Sequence, residues 1–122
     1  MKINGEVTIN IELENGKWEF MPEGGIGKSY LCSLLTELSK QGHPIATVTY
    51  KEGIVITGNL ATAKLIMFDK LDLYADAYNN RKKMEKLGRN AVVLMDVKQC
   101  YDNLWGIPVF LEYKDNQINV VM

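Results

Sequence analysis

The sequence predicts an α/β fold: a three-layer sandwich with a mainly parallel central sheet and a β-hairpin at each end. Three observations lead there. Continuous apolar runs, Leu65-Ile66-Met67-Phe68 and Ala91-Val92-Val93-Leu94-Met95, read as strands buried on both faces. Segments of helical period alternate with them. A glycine-rich stretch lies between a strand and a helix, where open α/β sheets bind ligands, at the carboxyl ends of their strands.

The elements follow in chain order. Val7 to Leu13 alternates apolar and polar, as a half-buried strand does. Asn15-Gly16 is a strong hairpin-turn dipeptide, so Lys17 to Met21 reads as the returning strand. After the glycines, Tyr30, Leu31, Leu34, Leu35 and Leu38 recur at helical spacing, giving a helix from about Gly27 to Gln41 that Gly42 stops. Ile45 to Tyr50 is a strand, broken by Lys51-Glu52-Gly53. Ile54 to Thr57 is a short strand and Gly58-Asn59 a turn. Lys64 to Asp69 is a buried strand ending in an acid. Leu71 to Leu87 is helical in pattern, with Leu73, Ala77, Met84 and Leu87 on one face and Gly88 as the stop. Ala91 to Asp96 is a further buried strand. Lys98 to Trp105 reads as one or two helical turns. Val109 to Tyr113 and Gln117 to Val121 form a hairpin over Lys114-Asp115-Asn116.

At 122 residues the chain is expected to be one domain with a modest core. It is 47% hydrophobic and 24% charged, ordinary for a globular protein. A net charge of −1 supplies no general attraction to nucleic acid or membrane. The residues after Met1 alternate rather than form an apolar leader, and no run is long enough to span a bilayer. Cys32 and Cys100 are far apart and fit no metal pattern. They are expected to be reduced, buried thiols in a cytoplasmic protein.

Gly24, Gly25, Ile26, Gly27, Lys28 and Ser29 carry the chemistry. A bound phosphate needs backbone N–H groups converging on one point, and glycine permits the angles this requires. A helix N-terminus adds partial positive charge, a lysine neutralises phosphate oxygens, and a hydroxyl ligates Mg²⁺. Asp69, after four apolar strand residues, is the candidate second metal group. The alternative is that it caps the helix near Leu71. Asp72 reads as an acid at that helix's N-terminus.

With these residues in place the sequence resembles the P-loop NTPases, although Pro22 stands at the leading glycine of the G-x-x-x-x-G-K-[S/T] pattern. Glu23 occupies the position of the signature lysine of the partitioning ATPases and argues against that class. The chain is most similar to RecA-like ATPases, whose loops often read P-G-[I/T]-G-K-[S/T]. They follow the loop helix with a strand ending in a catalytic Glu, and their metal-binding Asp is not followed by Glu. The resemblance spans roughly Lys17 to Tyr113. It implies ATP and Mg²⁺ as ligands, with Gly24, Gly25, Ile26, Gly27, Lys28, Ser29 and Tyr30 on the nucleotide. Ser29 and Asp69 would take the metal, and Lys28 and Glu52 would be the catalytic pair. Glu52 equally reads as a solvated turn residue. Asp96 and Gln99 stand where the relatives sense the γ-phosphate. The implied function is a slow Mg²⁺-dependent ATPase within a larger assembly. The alternatives are an inert regulatory or interaction module, or a nucleic-acid accessory factor.

The run from Arg81 to Arg89 reads as a solvated helix end suited to the macrodipole, with a nucleic-acid or subunit contact as the alternative. Were the chain to form a homo-oligomer or bind a protein partner, Arg81 or Arg89 would be its candidate arginine finger. His43 reads as an exposed loop residue. Trp18 and Trp105 read as core, with adenine stacking as the other possibility.

Overall fold

The computed structural model describes residues 1–21, 27–74, 86–97 and 106–122. The strands are β1 (Lys2–Ile3), β2 (Thr8–Ile11), β3 (Gly16–Phe20), β4 (Ile45–Tyr50), β5 (Ile54–Thr57), β6 (Leu65–Phe68), β7 (Val92–Met95), β8 (Ile107–Lys114) and β9 (Gln117–Val121). They make one curled nine-stranded sheet in the order β1-β2-β9-β8-β3-β7-β6-β4-β5. α1 (Lys28–Lys40) is an α-helix, and Lys86 and Leu87 are helical as well. No helix among the described residues is long and apolar enough to cross a membrane.

This architecture corrects the predicted three-layer sandwich with a mainly parallel sheet: the protein is mostly β and its sheet is mixed. β3, β7, β6 and β4 run parallel, as do β3 with β8 and β2 with β9. β1 with β2, β4 with β5, and β8 with β9 are antiparallel. The predicted helix from Leu71 to Leu87 opens as a 3-10 turn at Leu71–Leu73, and residues 75–85 lie outside the described residues. So do residues 98–105, the other expected helical turns.

The expected N-terminal hairpin over Asn15-Gly16 is also replaced. β2 pairs with β9, while β3 lies between β7 and β8. Burial is the reason. Trp18, Glu19 and Phe20 are successive residues and all are buried, so both faces of β3 are covered, as in a central strand. β2 alternates, with Ile9 and Ile11 buried, and needs cover on one face alone. The Trp18 indole donates to the Glu14 carbonyl at 2.9 Å, which ties the connection to the strand it enters. At the other end, β8 turns into β9 through Asp115 and Asn116, both at positive φ (52° and 58°). That left-handed pair suits the right-handed twist of a two-residue hairpin.

α1 packs on one face of the sheet through Leu31, Cys32 and Leu35, over Ile45, Leu65, Met67, Leu94 and Trp18. Its C-terminus closes with a Schellman pattern. Gly42 (φ 97°) donates to Ser39 O at 3.1 Å, and His43 donates to Leu38 O at 3.2 Å. The opposite face of the sheet, with Ala46, Val48, Ile66, Phe68, Val93 and Met95, is covered by Leu71, Tyr74 and Leu87. β6 and β7 therefore feed both layers, which is why their sequences are apolar throughout.

Gly58 closes the turn after β5 at φ 86°, and a Cβ there would stand 2.5 Å from both the Ile45 carbonyl and Ser39 Oγ. Gly58→Ala combines a disfavoured φ with a backbone clash. It is expected to lower stability by about 1–3 kcal/mol, read as a reduced urea midpoint at unchanged m-value.

Candidate functional site

Parallel pairing brings the carboxyl ends of β3, β7, β6 and β4 to one edge of the sheet, and α1 starts there. Gly27 is the N-cap residue at φ 105° and, as a glycine, offers no side-chain cap to the helix. The first helical residue, Lys28, is 7% exposed. Its ammonium donates to the carbonyl of Met21, just past β3, at 2.8 Å. It lies 3.8 Å from Asp96 Oδ1 at the end of β7, an ion pair longer than a good hydrogen bond.

Asp69 ends β6 and is 4% exposed. Its backbone is held on both sides: its N–H donates to Val48 O at 2.8 Å, and the Tyr74 hydroxyl donates to its carbonyl at 2.9 Å. Thr49 Oγ1, on β4, donates to Asp69 Oδ2 at 2.9 Å. The second carboxylate oxygen, Oδ1, is buried and has no hydrogen-bond partner among the described residues. Lys70 follows at φ 55°, a left-handed angle that costs a residue other than glycine about 1–2 kcal/mol.

A cleft of about 430 Å³ lies between α1 and the β4–β5 side of the sheet. Ser29, Thr36, Thr49, Lys51, Asp69 and Lys70 are among its lining residues. Thr36 and Thr47 share a hydrogen bond of 2.7 Å across the helix–sheet contact. The negative charge of this end of the sheet reaches its neighbours. Burial and then the Asp69 carboxylate push the Cys32 thiol up to about 12, against a lowering contact from Thr36. Burial and Asp69 also raise the Tyr74 phenol well above its ordinary range.

The predicted residues separate into two groups. Lys28 and Asp96 meet, and Ser29 and Asp69 line one cleft. Glu52 stands apart, exposed in the turn between β4 and β5, in a shallow hollow with Lys51, Gly53, Ile54 and Val55. Asp72 is half-buried in the 3-10 turn, and His43 is exposed beyond α1. Trp18 is core, so no base stacks on it. Tyr30, assigned to the apolar helix face, is 43% exposed. Arg89 is exposed and precedes β7, at the edge of the sheet opposite Lys28. Pro22, Glu23, Gly24, Gly25, Ile26, Arg81, Gln99, Cys100 and Trp105 lie outside the described residues.

Thr49 and Tyr74 escaped the sequence reading. Thr49 had a legible signal, since Thr47 and Thr49 alternate with Ala46 and Val48 and so face one side of β4. Tyr74 had none, because its role comes from a contact with the backbone of β6.

Among the described residues no three His, Cys, Asp or Glu side chains gather to hold a metal. That excludes a closed protein cage from this part of the chain. In comparisons with known proteins, no family model, curated protein or solved structure matches the chain.

Cys32 supplies a pH test. Its folded thiol titrates near 12 rather than 9.0, so between those values the unfolded chain loses its proton first. Its contribution is complete below pH 9.0 and is lost as the pH rises toward 12. Tyr74 acts in the same direction. Urea unfolding should show stability falling between about pH 9 and about pH 11, with a shallower fall in Cys32→Ala.

Proposed function

We propose that this chain binds a nucleoside triphosphate with Mg²⁺ at the N-terminus of α1, as a P-loop-type nucleotide-binding protein. One observation carries the reading. A buried lysine opens an uncapped helix beside two strand-ending carboxylates, and one of these, Asp69, has an unpartnered oxygen in the cleft that Ser29 lines. The helix terminus and the Lys28 ammonium attract phosphate oxygens. Lys28 would exchange its long contact with Asp96 for a short, charge-assisted bond to phosphate. The Ser29 hydroxyl and the Asp69 carboxylate would hold Mg²⁺, which supplies neutralisation of phosphate charge. Thr49 and Tyr74 keep Asp69 in place.

Binding is better supported than fast turnover. Glu52, the residue meant to activate water, is outside the cleft, and Asp69 already accepts a hydrogen bond from Thr49. The reading is therefore a nucleotide-binding module with slow hydrolysis. The exposed position of Glu52 favours a regulatory role over that of a freely cycling ATPase.

Thermal unfolding with and without ATP and Mg²⁺ tests this. Ligand at a hundredfold its Kd stabilises the native state by about 2.7 kcal/mol, which appears as a raised Tm. Lys28→Ala should remove the ligand-induced rise, and Asp69→Asn should remove the part that depends on Mg²⁺. Absence of any rise, or a rise that survives Lys28→Ala, would sink the proposal.

A further inference from the structure

Two half-exposed tyrosines stand beside the start of α1. Tyr30 follows Ser29 directly on the first turn of the helix and is 43% exposed; Tyr113, on β8, is 47% exposed. Their ring centroids are 6.0 Å apart with planes at 72°, an edge-to-face pair. The topology explains the meeting. Among the described residues β8 runs parallel to β3 as far as Val109, opposite Phe20, and its remaining residues pair with β9. Leu111 and Tyr113 therefore project past the carboxyl end of β3, where α1 begins. Gly27 marks the closeness: a Cβ there would stand 3.3 Å from Leu111 Cδ2.

A second tyrosine pair shows what a purely structural contact looks like. Tyr50 and Tyr74 stack nearly parallel at 14°, and Tyr74 is 2% exposed with its hydroxyl bonded to Val48 O and Asp69 O. The Tyr30–Tyr113 pair has neither feature. In an edge-to-face pair one ring turns its edge to the other's face, and both residues retain close to half of their surface in solvent.

The strand order sets its position relative to the phosphate site. β8 adjoins β3 on one side, while β7 and β6, which carry Asp96 and Asp69, lie on the other. The aromatic pair and the acid-lined cleft thus flank the start of α1 on opposite sides. A ligand with an anionic end and a flat aromatic end, joined by a short polar linker, matches that division.

We propose that Tyr30 and Tyr113 form the platform on which the base of a purine nucleoside triphosphate stacks, a proposal that rests on the phosphate site described above. The larger π surface of a purine gains more from a stacking platform than a pyrimidine does, and no base-specific hydrogen bond is needed. The site accordingly takes ATP and GTP alike and disfavours CTP.

Calorimetric titration of the full chain with the Mg²⁺ complexes of ATP, GTP, CTP and inorganic tripolyphosphate separates the two readings. ATP and GTP should bind about tenfold more tightly than tripolyphosphate, the scale of one base–aromatic stack. Tyr30→Ala and Tyr113→Ala should each bring ATP toward the tripolyphosphate affinity without changing tripolyphosphate binding, and Tyr113→Phe should keep the wild-type values. Both positions are half-exposed, and the Tm of each ligand-free variant checks that its fold is intact. ATP binding no tighter than tripolyphosphate, unaffected by either alanine, or matched by CTP would overturn the platform while leaving the phosphate site standing. If tripolyphosphate and ATP both fail to bind, the phosphate reading falls, and the platform with it.

Discussion

β3 lies parallel between β7 and β8, and the positions of Lys28, Asp96 and Asp69 follow from that placement. Gly16 to Glu19 pair with Val92 to Met95, so the two strands end together. The carbonyl of Met21 and the carboxylate of Asp96 then flank the start of α1, and Lys28 can reach both. The next pairing, β7 with β6, carries Asp69 to the same edge. The driving term is hydrophobic. β3, β6 and β7 each bury both faces, and each side chain so covered is worth roughly 1.5–3 kcal/mol. A site assembled by these strands is thus positioned by the core itself rather than by loops.

The core also accounts for the electrostatics. Asp69 and Asp96 are nearly inaccessible to water, yet their strands have too much apolar surface to be released. A buried carboxylate needs hydrogen bonds or a cation. Asp96 has Lys28, while Asp69 has Thr49 on one oxygen and nothing on the other. Such an orphan is disfavoured in a fold that needs nothing from it. The left-handed Lys70 beside it is a second local departure from low energy. Two departures at adjacent residues, at the carboxyl end of a strand, make Asp69 a place among the described residues that stability alone does not explain.

Much of the local structure was legible. The apolar runs of β6 and β7, the acids after them, and the helix stop at Gly42 are all short-range signals. The errors came from long-range partners. Asn15-Gly16 is a fair hairpin signal, but a dipeptide does not reveal that Trp18 to Phe20 will be covered on both faces. Tyr30 sat at helical spacing with Leu31, Leu34 and Leu38, yet β8 passes close enough to give it Tyr113 instead of a core contact. For Glu52 the sequence left a catalytic acid and a solvated turn residue equally open, and the β4–β5 turn carries it into solvent.

The sequence by itself determined that Lys28 and Ser29 follow a run of glycines and that Asp69 and Asp96 follow apolar strand runs, because identity and adjacency are local properties. It also determined that β6 and β7 would be buried, since a run without polar residues has no solvent face. Only the tertiary structure decided that the sheet is mixed and curled. That outcome depends on β9 taking β2 as well as β8, a competition among pairings far apart in the chain. The tertiary structure alone also paired Lys28 with Asp96 and left Asp69 Oδ1 without a partner, because hydrogen-bond satisfaction depends on what the fold brings within about 3 Å.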